Sequence, residues 1–495
     1  MFGFLPLSAE IFISFQVLYL LVVGVILSEK KIKNQYKLNI SEWINSFSSL
    51  ILFLSLIILY NTNYFEGYII NYQVMVDSLG FFLKFIVILM SFFCFIAISG
   101  FDKYENIRVF EYKLLLLLGV LGVLTLISSN DLITMYLSLE LQSLCFYIVT
   151  NIKFYSNFSI EAGLKYFVLG ALSSGILLFG ASLLYGFTGS TNFLDFSILF
   201  HYYNIDSYNL YHYKITLIGL LFLYSGLMFK IGIVPFHMWI ADIYEGAPTN
   251  IVLFFSVVPQ LGIFSVLIRL NIIFLQPYFN YLNMLFIILG MLSIFIGTLG
   301  AIYQTKLRRV FAYSSISNMG YAVLSLCTIE IESVFVVLFY VIVYNFINFG
   351  LWFILLSIRN RSTNDTLKDV SDIILLYNSN KFLAISFLVL LFSGMGIPPM
   401  LGFFSKFFVF LNLMYLKMYF CIFILIILNS MGAIYFLRLI IFMFSYQTDK
   451  RIFIEDLGQI KTVILILIVF INLFYFLYPI HLSILIYNVV IKFFL

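Results

Sequence analysis

Long apolar runs alternate along the chain with short clusters of charged or turn-forming residues. The runs fall at 9–28, 46–61, 78–99, 112–128, 131–150 and 162–187 and, after a polar stretch ending at Lys214, at 215–240, 249–270, 280–301, 310–328, 333–357, 382–412, 418–445 and 462–487. Most approach the ~20 apolar residues with which a helix crosses a hydrocarbon core. The pattern therefore predicts an all-α polytopic membrane protein with about 14 transmembrane helices, one per run. Only the tight turn Ser128-Ser129-Asn130-Asp131 separates the fourth and fifth runs, so those two helices must be antiparallel.

Two runs depart from a plain span. The run 215–240 contains Lys230-Ile231-Gly232-Ile233-Val234-Pro235, and the run 382–412 contains Gly394-Met395-Gly396-Ile397-Pro398-Pro399 followed by Lys406. Proline inside a helix removes a donor and clashes with the carbonyl four residues earlier, which leaves Ile231, Gly394 and Met395 as acceptors in search of a partner. At about 1.5 Å per residue the run 382–412 is also about 46 Å long, too long for one straight span. Both helices are expected to break, at Pro235 and at Pro398 and Pro399. They lie five runs apart, an odd offset that predicts two inverted five-helix repeats, each with a broken helix. The expected division is 1–110 for three N-terminal helices, 111–271 and 272–446 for the repeats, and 447–495 for a C-terminal helix.

Composition agrees with a lipid environment. The chain is 63% apolar and 10% charged, against about 45–50% and about 25% in soluble domains. Cys94, Cys145, Cys327 and Cys421 sit far apart inside apolar runs, and His201, His212, His237 and His481 form no metal-ligand spacing. No metal or redox cofactor is expected in this chain. Lys30, Lys31, Lys33, Lys37, Lys103, Arg108, Lys113, Lys153, Lys306, Arg308, Arg309, Arg359, Arg361, Lys368, Lys381, Lys450, Arg451 and Lys461 gather in one set of alternate loops. The other set has little beyond Lys214, Arg269, Lys417 and Lys492. The positive-inside rule then places the basic loops on a matrix or cytoplasmic face, with both termini opposite. No signal or transit peptide is expected at the N-terminus. Abundant Phe and Tyr beside scarce Pro and Trp suggest AT-rich, organelle-encoded codons.

The few charges inside apolar runs are the candidate chemistry: Lys84, Glu140, Lys165, Lys230, Lys406 and Arg438. Glu140 is about 14 Å from either end of its helix, and a charge at the bilayer centre costs roughly 2.5–3.5 kcal/mol even on permissive scales. It needs a partner, a proton or water. Burial favours the neutral form of each group and mutual proximity favours the charged forms, so a Glu/Lys pair changes its proton affinity when the partner moves. Lys230 and Lys406 stand beside the expected breaks, where water can enter. Glu140, Lys230 and Lys406 read as a proton relay. Lys165 reads as a relay member or a snorkelling surface lysine. His237 is a further relay candidate, Lys84 reads as an interfacial or local structural charge near Asp77, and Arg438 as structural. Gly170 and Ser174, four apart, read as close helix packing.

These residues lie in longer motifs. They are Tyr136-Leu-Ser-Leu-Glu140-Leu-Gln-Ser-Leu-Cys145, Glu161-Ala-Gly-Leu-Lys165, Phe229-Lys-Ile-Gly-Ile-Val-Pro235-Phe-His-Met-Trp239, Tyr244-Glu-Gly-Ala-Pro248-Thr, Lys306-Leu-Arg-Arg-Val-Phe-Ala-Tyr-Ser-Ser315 and Gly396-Ile-Pro-Pro-Met-Leu-Gly-Phe-Phe-Ser-Lys406. Over roughly 110–445 the chain resembles the antiporter-like membrane subunits of respiratory complex I, NADH:ubiquinone oxidoreductase, and among them the chain 2 type. The resemblance implies a proton-translocating subunit in the mitochondrial inner membrane, with Glu140, Lys165, Lys230 and Lys406 as its relay. It also implies that NADH, FMN, iron–sulfur clusters and ubiquinone bind to other subunits and none to this chain. The implied partners are the chain 4 type antiporter-like subunit and the small chain 4L and chain 6 type subunits, beside membrane lipids and without nucleic acid. Two positions depart from the family pattern. Gln260 stands where a lysine is usual and Asn318 where a histidine is common, and neither side chain can store a proton at neutral pH. Two other readings stay open, a structural membrane spacer within the complex and a cation/proton antiporter subunit.

Overall fold

The computed structural model describes residues 2–33, 40–62, 66–103, 105, 107, 109–153, 155–203, 210–328, 330–360, 367–374, 376–445, 452–454 and 457–494. Lys37, Arg108, Arg361, Lys450 and Arg451 of the basic loops lie outside the described residues. The helices are α1 (Ser8–Lys33), α2 (Ile40–Asn61), α3 (Ser78–Ile98), α4 (Glu111–Ile127), α5 (Leu132–Thr150), α6 (Asn157–Thr188), α7 (Phe193–Tyr203), α8 (Leu210–Ile231), α9 (Met238–Gly246) and α10 (Thr249–Phe255). They continue with α11 (Val258–Tyr303), α12 (Leu307–Leu324), α13 (Ile331–Ser357), α14 (Leu376–Ser379), α15 (Lys381–Met395), α16 (Leu401–Tyr415), α17 (Tyr419–Ser445), α18 (Gln459–Phe474) and α19 (Ile480–Phe494).

Every apolar run is helical, and the chain is a multi-span helical membrane protein. Among the described residues, 12 helices are long and apolar enough to cross a membrane. The runs at 112–128 and 382–412 fall outside that number for separate reasons. The helix α4 has 17 residues, and 382–412 is divided into α15 and α16 of 15 residues each.

Three places differ from the expected spans. The stretch 188–214, read as a polar loop, contains α7. The run 249–270 is interrupted at Ser256 and Val257, because Pro259 enters α11 in its first turn and cannot supply the donor that would continue α10. The Asn348 amide donates to the freed Ser256 carbonyl at 2.9 Å. The run 462–487 is two helices, α18 and α19, because Pro479 cannot extend the first. There the Tyr475 hydroxyl donates to the Pro479 carbonyl at 2.7 Å.

The chain forms two compact units, Met1–Lys230 with Val258–Pro277, and Ile231–Val257 with Tyr278–Leu495. In the first, strands β1 (Gly67–Ile69) and β2 (Val74–Val76) pair as an antiparallel hairpin. The hairpin meets the turn between α4 and α5, with Met75 N–H on the Ser128 carbonyl and Asn130 N–H on the Gln73 carbonyl, both 2.9 Å. Asp131 caps α5 through the Ile133 N–H at 2.8 Å. Buried ion pairs pin this unit. Lys84 meets Glu10 of α1, correcting its association with Asp77, and Asp77 instead accepts from Arg269 at 2.7 Å. Lys113 pairs with Asp102 at 2.7 Å.

In the second unit, Glu245 at the end of α9 binds both Lys306 and Arg309, and Arg308 donates to the Glu245 and Ala247 carbonyls at 3.2 and 3.1 Å. This explains why acidic and basic residues recur in the motifs at 244–249 and 306–315. They close the C-terminal end of α9 onto the start of α12. Arg438 donates to the Ile302 and Gln304 carbonyls at 2.9 and 2.5 Å, so it caps the end of α11, as its structural reading expects. Strands β3 (Ile358–Asn360) and β4 (Ile452–Ile454) form a second antiparallel pair. Of the polar stretch at 360–380, residues 361–366 and 375 lie outside the described residues.

Candidate functional site

Both expected breaks are present, and they share a local pattern. Each has glycine in the left-handed region, Gly232 at φ +82° and Gly396 at φ +83°, followed three residues later by proline, Pro235 and Pro399. The peptides before these two prolines are cis. Glycine at 232 is required twice over, because a Cβ there would also lie 1.8 Å from Ile240 Cδ1.

In the second unit the break is closed by the lysine that follows it. Lys406, on the first turns of α16, turns back so that its ammonium donates to the Gly394 carbonyl at 3.1 Å and the Met395 carbonyl at 2.8 Å. A third acceptor is Asn429 Oδ1 at 2.8 Å. The Tyr321 ring lies 5.6 Å from the ammonium, a favourable face for a cation. Lys406 is 8% exposed. The acceptors freed by Pro398 and Pro399 are thus met by a charged donor at a helix C-terminus, where the dipole also favours a cation.

Beside Lys406 is a cavity of about 20 Å³ lined by Asn318, Tyr340, Tyr344, Asn348, Ser405 and Lys406, among others. That volume suits a single water molecule, which needs about 10–15 Å³ and several polar partners. Asn318 accepts from the Tyr340 hydroxyl at 2.8 Å and donates to the Ser314 carbonyl at 2.8 Å. Asn318 thus anchors hydroxyl chemistry at a place where it cannot itself titrate.

In the first unit, Glu140, Ser143 and Tyr147 lie three and seven residues apart on one face of α5. Lys230, one residue from the end of α8, donates to the Tyr147 hydroxyl at 3.3 Å. Ser143 stands one helical turn from Tyr147, and its hydroxyl donates to Glu140 Oε2 at 3.4 Å. Glu140 and Lys230 interact electrostatically, yet among the described residues no ion pair joins them directly. The Tyr147 hydroxyl meets Lys230 and the Ser143 hydroxyl meets Glu140.

The remaining sites are placed as follows. Lys165 forms an i,i+4 pair with Glu161 at 2.7 Å, and the two side chains are 43% and 62% exposed. His237 is buried just before α9, with Nδ1 unpartnered. Gln260 is buried in the first turn of α11, immediately after the interruption at Ser256 and Val257, with Oε1 unpartnered. Sequence reasoning missed Tyr147, Tyr321, Tyr340 and Asn429. For Tyr147 a signal was available, its helical spacing from Glu140; the other three are contributed by distant helices and left none.

The NADH:quinone oxidoreductase/Mrp antiporter transmembrane family matches residues 129–432, more than half of the chain. The chain belongs to this family. The matched stretch contains Glu140, Lys165, Lys230, Gln260, Asn318 and Lys406. Within the family the chain is 36% identical over 481 residues to NADH-quinone oxidoreductase subunit N of Pelagibacter ubique, with 95% of each chain covered. It is 34% identical over 479 residues to NADH-ubiquinone oxidoreductase chain 2 of Marchantia polymorpha, with 96% of each covered. The resemblance to the antiporter-like complex I subunits thus extends over nearly the whole chain, beyond the 110–445 that carry the motifs.

Solved structures share the fold. A chain of respiratory complex I from Thermus thermophilus matches with a TM-score of 0.77 at 24% identity, over 96% of this chain and 98% of that one. A chain of the Mrp complex from a Dietzia species matches with a TM-score of 0.79 at 16% identity, over 98% and 97%.

Proposed function

We propose that this family member is a proton-translocating subunit of the membrane arm of complex I. It would move protons through Glu140, Lys230 and Lys406 while NADH oxidation and quinone reduction proceed in other subunits. Its part in the enzyme is translocation and not redox chemistry, and NADH, FMN, iron–sulfur clusters and ubiquinone belong to its partners. The observation that carries the reading is the pair of lysines at the two broken helices. Lys230 is held by the Tyr147 hydroxyl of the helix face that carries Glu140, and Lys406 lies among carbonyls beside a water-sized cavity. An ammonium so placed can lose and regain a proton when its surroundings change.

The expected neighbours are a chain 4 type antiporter-like subunit and small chain 4L and chain 6 type subunits. The mitochondrial inner membrane is the proposed location, a reading supported by plant chain 2 relatives. Bacterial subunit N relatives of similar identity favour a bacterial plasma membrane as the alternative, and the genomic location of the gene decides between them.

The test is the number of protons moved per NADH oxidised by the assembled complex carrying Glu140→Gln. A lower number with electron transfer retained supports the reading. A second reading, a membrane spacer with a degenerate relay, is favoured by Gln260, Asn318 and the exposed Lys165–Glu161 pair. It expects Glu140→Gln to alter assembly alone.

A further inference from the structure

The hydroxyls on α5 bear on how Glu140 and Lys230 communicate. Tyr147 accepts from Lys230 Nζ at 3.3 Å and stands one helical turn from Ser143 on α5, whose hydroxyl lies 3.4 Å from Glu140 Oε2. The Tyr147 ring is fixed by edge-to-face packing on Tyr166 and Phe167, with centroids 4.7 and 5.7 Å away. One turn after Tyr166 on α6 stands Gly170, where a Cβ would lie 2.0 Å from the Tyr147 oxygen and 2.5 Å from Cζ. The small residue read from the sequence as helix packing is therefore the space that the Tyr147 hydroxyl occupies. Ser143 has a choice of acceptor, since its hydroxyl is 3.2 Å from the Glu140 carbonyl and 3.4 Å from the Glu140 carboxylate.

We propose that the Tyr147 hydroxyl is the proton link between Lys230 and Glu140, with the Ser143 hydroxyl as the rotor that completes or interrupts it. The proposal rests on the reading of Glu140 and Lys230 as proton carriers. A phenol and an alcohol each donate and accept one hydrogen bond at once, so the transfer balances along the chain. An N–H bond of the Lys230 ammonium breaks as an O–H bond forms on Tyr147, whose original proton passes to Ser143, whose own proton passes to the Glu140 carboxylate. Both hydroxyls end with one proton each. Lys230 becomes a neutral amine and Glu140 a neutral acid. With Ser143 turned to the Glu140 carbonyl the chain is open, and the two carriers hold their protons independently.

Tyr147 and Ser143 are positioning and conducting groups and store no proton. Their removal should be felt only where Lys230 is present. The experiment is a double-mutant cycle on the assembled complex in sealed liposomes, reading protons moved per NADH oxidised. Lys230→Met reports on the underlying reading. Tyr147→Phe removes a single oxygen and keeps the packed ring.

The expected result is the same fold-loss of protons per NADH in Tyr147→Phe as in Lys230→Met, with no further loss in the double variant. A purely structural tyrosine would give additive losses, or none, and either result overturns the proposal. Should Tyr147→Phe fail to assemble, Ser143→Ala is expected to show the loss and Ser143→Thr to restore it. An unchanged ratio in Ser143→Ala overturns the link. If Lys230→Met itself leaves the ratio unchanged, the reading of the carriers falls and the link falls with it. A loss in Lys230→Met with none in Tyr147→Phe removes the link alone.

Discussion

Lys84 and Glu10 are both buried and face each other within the apolar interior of the first unit. Removing one partner strands the other charge, at a cost of about 3–5 kcal/mol, whereas replacing both with apolar residues is often neutral. Lys84→Leu is therefore expected to lower the amount of assembled complex on a native gel, and Glu10→Leu with Lys84→Leu to restore most of it. Gly232 makes a different demand. Its φ of +82° and the nearby Ile240 exclude a side chain, so Gly232→Ala is expected to reduce assembly by a mechanism that no second substitution at a charge can repair. The ionisable residues were legible as unusual because each interrupts an apolar run. Their partners were not, since Glu10 and Lys84 are far apart in sequence and a helix that is apolar on all sides does not show which face is inward.

The helix ends explain what the scattered charges do. Arg438 and Lys406 both meet carbonyls at helix C-termini, yet they sit in different settings. Arg438 binds the Ile302 and Gln304 carbonyls at the C-terminal end of α11, well beyond the kink of that helix at Tyr278. Lys406 binds the Gly394 and Met395 carbonyls within a broken one, beside a polar cavity. Arg438→Leu is expected to destabilise the complex by about 1–3 kcal/mol for each acceptor left unpaired, seen as lower thermal stability. Protons per NADH in the assembled fraction should be unchanged. Lys406→Met is expected to lower both.

The breaks at Gly232 to Pro235 and Gly396 to Pro399 were legible because glycine and proline coincide inside apolar runs. The interruption at Ser256 and Val257 was not, because no glycine announces it and Pro259 sits where a new helix begins. The helix α7 was missed for the opposite reason. It lies in a stretch whose polar residues read as loop.

For the molecule as a whole, apolar composition and run length sufficed for the multi-span helical class, and the ordered motifs sufficed for the family. They did not determine which of the marked residues gather. Each compact unit holds one cluster, Glu140, Ser143, Tyr147 and Lys230 in the first and Asn318, Tyr340, Lys406 and Asn429 in the second. Lys165 pairs instead with Glu161 on α6, with both side chains exposed. Lys165→Met is accordingly expected to change protons per NADH less than Lys230→Met does, in the same liposome assay.

The central claim is that a lysine at a helix break releases and regains a proton, and does more than place a positive charge. Arginine keeps the charge and stays protonated throughout the accessible pH range. The most direct measurement is the number of protons moved per NADH by the assembled complex bearing Lys230→Arg. The account expects that number to fall while NADH oxidation continues. A wild-type number would contradict it, because a fixed charge would then serve as well as a titrating one.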